Sequence, residues 1–181
     1  MKVLMKTVEE QLAQYKSVHF NKKNMQSHFI GIPLLILAIT LLLSLNRFEI
    51  SLSDFRITFT PAMVIFAAVL IYYAKLHGKI ALGMLAYLIV NLYFAELLYQ
   101  ADKVVFLAIA IFIAGWIIQF IGHYYEKAKP AFLDDMVGLV IGPFFLIAEI
   151  YFALGFEQKL HNQMTRLALK KRKLMEDAKV S

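Results

Sequence analysis

The sequence predicts an all-α fold: a polytopic integral membrane helical bundle of four spanning helices plus a broken or re-entrant fifth segment, with amphipathic helices at both ends. Three observations carry this. The 181-residue chain is 60% hydrophobic with a mean hydropathy of +0.64, well above the apolar share of an ordinary soluble domain. Its apolar runs recur at about 30–46, 57–76, 80–98, 104–122 and 137–156, each close to the ~20 residues that carry a helix across ~30 Å of hydrocarbon. Backbone that faces lipid must satisfy its own hydrogen bonds, which makes every such segment helical.

Composition also excludes. The opening residues MKVLMKTVEEQ are charged and polar, without the apolar core and small-residue cleavage site of a secretory signal. Insertion is therefore expected to use the mature helices. With no cysteine in the sequence there is no thiolate nucleophile, no disulfide and no Cys-bound zinc or iron–sulfur cluster, so a metal would rest on histidine and carboxylate. The net charge of +6 gathers at membrane flanks, where anionic lipid headgroups rather than nucleic acid account for it.

The chain reads as one membrane domain in three parts. Residues 1–28 are an amphipathic segment, in which Val8, Leu12, Tyr15 and His19 make one helical stripe on or against the membrane face. Asn21-Lys22-Lys23-Asn24 reads as a turn, after which His28 precedes Gly31 and Pro33. Nine residues apart, His19 and His28 would face opposite ways on one continuous helix, but a turn between them lets both face one point. Residues 29–156 carry the membrane helices. The first ends at Asn46-Arg47, FEISLSDFRITFTP is a polar loop to the second, and the second ends in a basic turn around His77. The third carries Asn91 and Glu96, the latter near enough to its end to snorkel.

Lysine and arginine number five before the first segment, two, two, one and two in the successive loops, and seven after the fifth segment. With a cytoplasmic N-terminus, the turn at His77 and the loop at His123 are cytoplasmic by the positive-inside rule. Five full crossings would put the seven basic tail residues on the far side, and an even number resolves the conflict. Gly138, Gly142 and Pro143 interrupt the fifth segment, and proline removes a helix donor and crowds the preceding turn. Segment 137–156 is therefore expected to break or re-enter, returning Glu149 to the histidine face. The competing reading is a normal span whose Gly138-x-x-x-Gly142 face packs on a neighbour. The tail, 157–181, sets Leu160, Met164, Leu167 and Leu174 against Arg166, Lys170, Lys171, Arg172 and Lys173, a basic amphipathic helix for anionic headgroups.

The chemistry gathers at 115–132, GWIIQFIGHYYEKAKPAF, where an apolar segment ends in Gln119, His123 and Glu126, spaced four and then three apart on one helical face. Ionisable groups at membrane depth are costly unless they face a protein interior, which marks a site; the plainer reading is a helix end meeting headgroups. Glycine-rich phosphate loops, Gly-x-Ser-x-Gly elbows and His-Glu-x-x-His helices are missing. His19, His28 and His123 remain, with Glu126 or Glu149 to complete a site, and imidazole with carboxylate suits non-haem Fe(II) or zinc. Asn24, one turn before His28, is placed to orient it, and Gln119 stands beside the site in a supporting role. His77 in its lysine-rich turn and His161 in the tail read as surface residues.

Three stretches resemble the motifs of the membrane family that includes the fungal 2-hydroxy fatty acid (2-hydroxypalmitate) dioxygenases and bacterial relatives. They are Tyr15-x3-His19-x4-Asn24-x3-His28 followed by Ile32-Pro33; Gly115-Trp116-x2-Gln119-Phe120-x-Gly122-His123 followed by Glu126-Lys127-x2-Pro130-Ala131; and Gly142-Pro143-x5-Glu149. They cover both ends of the chain and most of its polar membrane residues, while segments two and three contribute little. One departure stands out: His123 and Glu126 are three apart where the resemblance leads to an expectation of four. Both spacings keep the pair on one face, but Glu126 moves behind Glu149 as the expected carboxylate.

The resemblance implies an Fe(II)-dependent dioxygenase of fatty acid α-oxidation, using O2 to shorten a 2-hydroxy long-chain fatty acid by one carbon with release of carbon dioxide. It implies His19, His28 and His123 as ligands of Fe(2+), with Glu149 and then Glu126 as a fourth or outer group. The residues lend separate support. A lipid entering sideways from the bilayer keeps its acyl chain among the helices and presents carboxylate and hydroxyl to a metal at the surface, with Lys22, Lys23, Lys127 or Lys129 near enough to attract the carboxylate. The rival readings are a zinc-dependent membrane lipid hydrolase at the same histidines and a non-catalytic membrane scaffold. The expected location is the bacterial inner membrane, or the endoplasmic reticulum membrane if eukaryotic, with the site facing the cytoplasm.

Overall fold

Residues 6–52, 55–127 and 137–180 are described by a computed structural model. In order they form α1 (Val8–Lys16), α2 (Lys22–Leu43), β1 (Phe48–Leu52), β2 (Phe55–Phe59), α3 (Pro61–Leu76), α4 (Gly78–Tyr99), α5 (Val104–Glu126), α6 (Val137–Ala153) and α7 (Gln158–Val180). The helical class is as expected. The polar loop, however, is an antiparallel hairpin in which Phe48 faces Phe59 and Ile50 faces Ile57. Its residues alternate apolar and polar, and that period of two is a strand signal.

Helices α2, α4 and α5 have the length and hydropathy to cross a membrane. Helix α3 has 16 residues and α6 has 17, about 24–26 Å at ~1.5 Å per residue, so of the four expected spans three reach full length. The first one starts earlier than its apolar run. Asn21 caps α2 by accepting from the Lys23 N–H, and the helix then passes through Asn24, His28 and Pro33 without interruption. The break expected at Asn21–Asn24 therefore lies at Ser17–Asn21, because asparagine is a stronger N-cap than an interior helix residue.

The expected break in 137–156 does not occur: α6 is one helix with Pro143 inside it. Both of its ends nevertheless meet the same α3–α4 corner. Near its start the Tyr73 hydroxyl donates to the Val140 carbonyl at 2.5 Å. Just beyond its end Glu157 accepts from Lys79 at 2.6 Å and lies 3.4 Å from His77. Gly83 sits between these contacts, against Ile147 and Tyr151.

The tail also differs from its expected footing. Leu160, Met164 and Ala168 are buried in one cluster with Leu12 and Tyr15 of α1 and with Phe144 and Phe145 of α6, whereas Leu167 and Leu174 are exposed. The three buried residues follow a spacing of four, the period of a helix face, and that face covers the stripe of α1. Both terminal helices are amphipathic, but their apolar faces meet each other and α6.

Helices α2 and α5 approach through glycine. A Cβ on Gly31 would lie 3.0 Å from the Gly115 carbonyl, and one on Gly115 would lie 2.8 Å from Leu35. Small residues let two apolar helices pack with their backbones close. This contact sets the start of α2 beside the end of α5, where His28 and His123 are found.

Candidate metal centre

His19 follows α1 in the Ser17–Asn21 turn, His28 lies in the second turn of α2, and His123 in the last turn of α5. All three are buried. Their ring centroids are 4.4, 4.9 and 5.0 Å apart, with planes crossing at 70–80°, and one ligand nitrogen from each falls within 4.8 Å of the others. Among the described residues this is the one group of histidines and carboxylates placed to hold a metal ion.

The hydrogen bonds assign the ring nitrogens. His19 Nδ1 meets the Tyr15 carbonyl at 2.5 Å and His28 Nδ1 meets the Asn24 carbonyl at 2.9 Å. A carbonyl only accepts, so each Nδ1 carries the proton and each Nε2 presents a lone pair. The two Nε2 atoms are 2.9 Å apart. Lone pairs aimed at one spot repel unless a proton or a metal ion joins them, and cis ligands at ~2.1 Å from a metal lie about 3 Å apart. Burial first, and then the neighbouring His28, hold His19 well below the ordinary imidazole pKa, against the opposing bond to Tyr15. An extra proton is thus disfavoured on His19, and the neutral form that binds metals is favoured. The donor set fits a borderline ion such as Fe(II) or zinc.

The cluster ends a cavity of about 270 Å³. Its lining beyond the histidines is almost wholly apolar: Ile32, Leu35, Ile36 and Ile39 of α2, Phe112, Trp116 and Phe120 of α5, and Leu139 and Pro143 of α6, with Gln119 the polar side chain on the α5 wall. Tyr15, missing from the expected site, stacks on His19 with centroids 4.1 Å apart and planes 2° from parallel. Its place four residues before His19 was the available signal.

Neither expected carboxylate joins the metal-binding group. Glu126 is buried and accepts from the Phe20 N–H at 3.2 Å, the Asn21 N–H at 2.7 Å, Asn24 Nδ2 at 3.2 Å and Arg172 at 2.9 Å. It ties the turn that carries His19 to the end of α5. Glu149 pairs with Lys16, three residues before His19, at 2.9 Å. Asn24 orients His28 through its backbone carbonyl, while its side chain donates to Val18 and Glu126. His77 caps α4 and His161 stacks on Phe152, both apart from the cluster. Lys129 lies outside the described residues.

Gly122 permits the convergence of α2 and α5 beside His123. A Cβ there would lie 1.9 Å from Ser27 Oγ, 3.0 Å from Ser27 Cβ and 2.6 Å from Asn24 Oδ1, and Asn24 is held by its two bonds. Gly122→Ala is therefore expected to destabilise the protein by about 1–3 kcal/mol, the usual range for overpacking, and to weaken metal binding. Thermal unfolding in detergent checks this against Gly78→Ala, whose Cβ meets nothing within 4 Å; equal midpoints would refute it.

A bundle of apolar helices closed at one end over three buried imidazoles defines a helical membrane protein with a candidate metal centre at the head of an apolar cavity. Comparison with known proteins carries this further. The family model described as "2-hydroxy-palmitic acid dioxygenase Mpo1-like" matches residues 5–154. The 2-hydroxy-palmitic acid dioxygenase MPO1 of Saccharomyces cerevisiae is 32% identical over 171 residues, covering 92% of this chain and 93% of that protein. The chain belongs to the Mpo1-like family. No solved structure matches it.

Proposed function

We propose that this chain is an Fe(II)-dependent dioxygenase that uses O2 to shorten 2-hydroxy long-chain fatty acids by one carbon at the membrane surface. The observation that carries the reading is the convergence of His19, His28 and His123 at the end of an apolar cavity, in a family whose yeast member is named for this substrate class. In this reading the three histidines hold Fe(II), which when bound supplies Lewis acidity and redox capacity toward oxygen. The Tyr15 and Asn24 carbonyls fix the tautomers and ring orientations of His19 and His28. The apolar wall excludes water from the carbon to be oxidised. From His28 to Ile39 and from His123 to Phe112 is eleven residues each, about 16 Å of helix, close to the ~15 Å thickness of one leaflet. That depth accommodates an acyl chain while its carboxylate and hydroxyl remain at the histidines. The test is oxygen uptake by purified protein with 2-hydroxypalmitate against palmitate, with the one-carbon-shorter product identified by mass spectrometry. Bound zinc with oxygen-independent lipid hydrolysis would replace this reading by the hydrolase.

The fold also supports an even number of crossings. With both ends of α6 on the α3–α4 corner, the N-terminal helix, the histidines and the basic tail share one side, which the positive-inside rule assigns to the cytoplasm. A reporter fused after Ser181 is expected to label only from the cytoplasmic side. Labelling only from the opposite side would overturn this topology.

A further inference from the structure

The hairpin of β1 and β2 lies at the far end of the bundle from the histidines, because α2 carries His28 near its start, ends at Leu43, and α3 begins at Pro61. Its register sorts the side chains by chemistry. Phe48 opposite Phe59 and Ile50 opposite Ile57 share one face, and Glu49 opposite Thr58 and Ser51 opposite Arg56 share the other, since paired residues of an antiparallel ladder project to the same side. The Phe48 and Phe59 rings stack with centroids 5.5 Å apart. The helices leave this apolar face open: Phe48, Ile50 and Ile57 are each about half exposed. Two neighbouring features say what covers it. The root of the hairpin is tied to the end of α4, where Arg47 bonds both oxygens of Glu96 at 2.7 and 3.3 Å and lies over the Tyr99 ring at 3.8 Å. Arginine, carboxylate and tyrosine together mark the level at which a helix leaves hydrocarbon for headgroups. Just inside that level Phe94 of α4 and Phe106 of α5 are exposed, so the lipid-facing apolar belt runs up to the hairpin and its apolar face continues the belt. The second feature is the length of α3. Its 16 residues reach about 24 Å, short of ~30 Å of hydrocarbon, so the segment leading into α3 has to enter the bilayer interface for the helix to complete a crossing.

We infer that the hairpin is a phospholipid-binding surface, lying flat in the interfacial layer of the leaflet opposite the histidines. Phe48, Ile50, Ile57 and Phe59 rest on the acyl chains, and Glu49 and Arg56 stand among headgroups and water. Its depth is limited from both sides. The apolar face draws the hairpin down. The outer edges of the two strands, which have no further strand beside them among the described residues, keep it out of the hydrocarbon core, where unpaired backbone is costly. Seated there, the hairpin supplies the length that α3 lacks. Nothing in this placement depends on the reaction proposed at the opposite face of the membrane.

The chain has no cysteine, so a single introduced one carries a probe without background. Ile57→Cys and Thr58→Cys are neighbours on opposite faces of β2, and both positions are exposed, so neither change removes a core contact. Each variant is labelled with an environment-sensitive fluorophore and reconstituted at one copy per phosphatidylcholine nanodisc, which leaves both membrane faces open to solutes. The probe at position 57 is expected to shift to shorter wavelength and to lose its emission to phosphatidylcholine carrying a nitroxide at the top of the acyl chain. The probe at position 58 is expected to keep its aqueous spectrum and to be quenched by iodide. Quenching of both probes by iodide alone would put the hairpin in water and overturn the proposal. Quenching of both by the nitroxide lipid would overturn the flat seat, because the polar face would then be buried as well. A shift at position 57 that requires two copies per disc, with no lipid quenching at one copy, would make the occupant a second chain and overturn the assignment to phospholipid.

Discussion

Replacing any one of His19, His28 and His123 by alanine is expected to strip the bound metal from a protein that still folds, and to abolish oxygen uptake with it. The three nitrogens lie within 4.8 Å of one another and come from three separate segments, so no neighbouring side chain substitutes for a missing one. Losing even an outer partner of a metal ligand costs roughly 10–100-fold in affinity, and losing a ligand is expected to exceed that. His28 and His123 line the cavity head, whereas His19 also stacks on Tyr15 of the buried cluster, so His19→Ala is expected to lose the most stability of the three. Elemental analysis beside circular dichroism gives the readout. Near-stoichiometric iron in wild type and none in the folded variants is the expected result. Full metal content in all three variants would return the histidines to a structural role.

Glu126→Ala is expected to be the most damaging change outside the histidines. Its carboxylate is buried and meets four donors, one of them the Arg172 guanidinium. Arg172 is partly exposed and keeps Glu176 and the Ser17 carbonyl, so the cost falls on the buried donors: two backbone N–H groups and Asn24 lose their acceptor, at about 1–3 kcal/mol for a buried group left unsatisfied. The turn they hold carries His19, so loss of metal should accompany the fall in stability. Arg172→Ala is expected to reproduce part of the defect, and the double variant to fall short of the sum, with a coupling of about 0.5–3 kcal/mol. Thermal unfolding and metal content of the two single variants and the double check this; strict additivity would show that Arg172 does not act through Glu126.

The Arg172 contact had no signal in the sequence. It lies in the run Lys170–Lys173, and any of these residues could have met headgroups. Which one turns inward depends on α7 packing Leu160, Met164 and Ala168 onto α1, a contact between the two ends of the chain. The same docking explains why Leu167 and Leu174, expected on one membrane-facing side with Leu160 and Met164, are exposed while those two are buried. The hairpin at 48–59 was legible, since Phe48, Ile50, Ile57 and Phe59 alternate with polar residues, but the polar character of the stretch suggested a loop.

The local pattern of residues was enough to place the apolar helices, to single out three of five histidines, and to put His123 beside Gln119 and Glu126, because helical spacing is a short-range property. The His19 and His28 Nδ1 atoms find local partners four residues back, but the long-range partners were decided by tertiary structure alone. Glu126 answers to the turn at 20–21 and to Arg172, Glu149 to Lys16, and the two Nε2 lone pairs are brought 2.9 Å apart toward one spot. These contacts join residues 9 to 133 positions apart, and their geometry follows from the glycine-mediated approach of α2 to α5 and the docking of α7. A desolvated carboxylate or imidazole takes whichever donor or acceptor the packing brings to it, and sequence spacing carries no record of that choice.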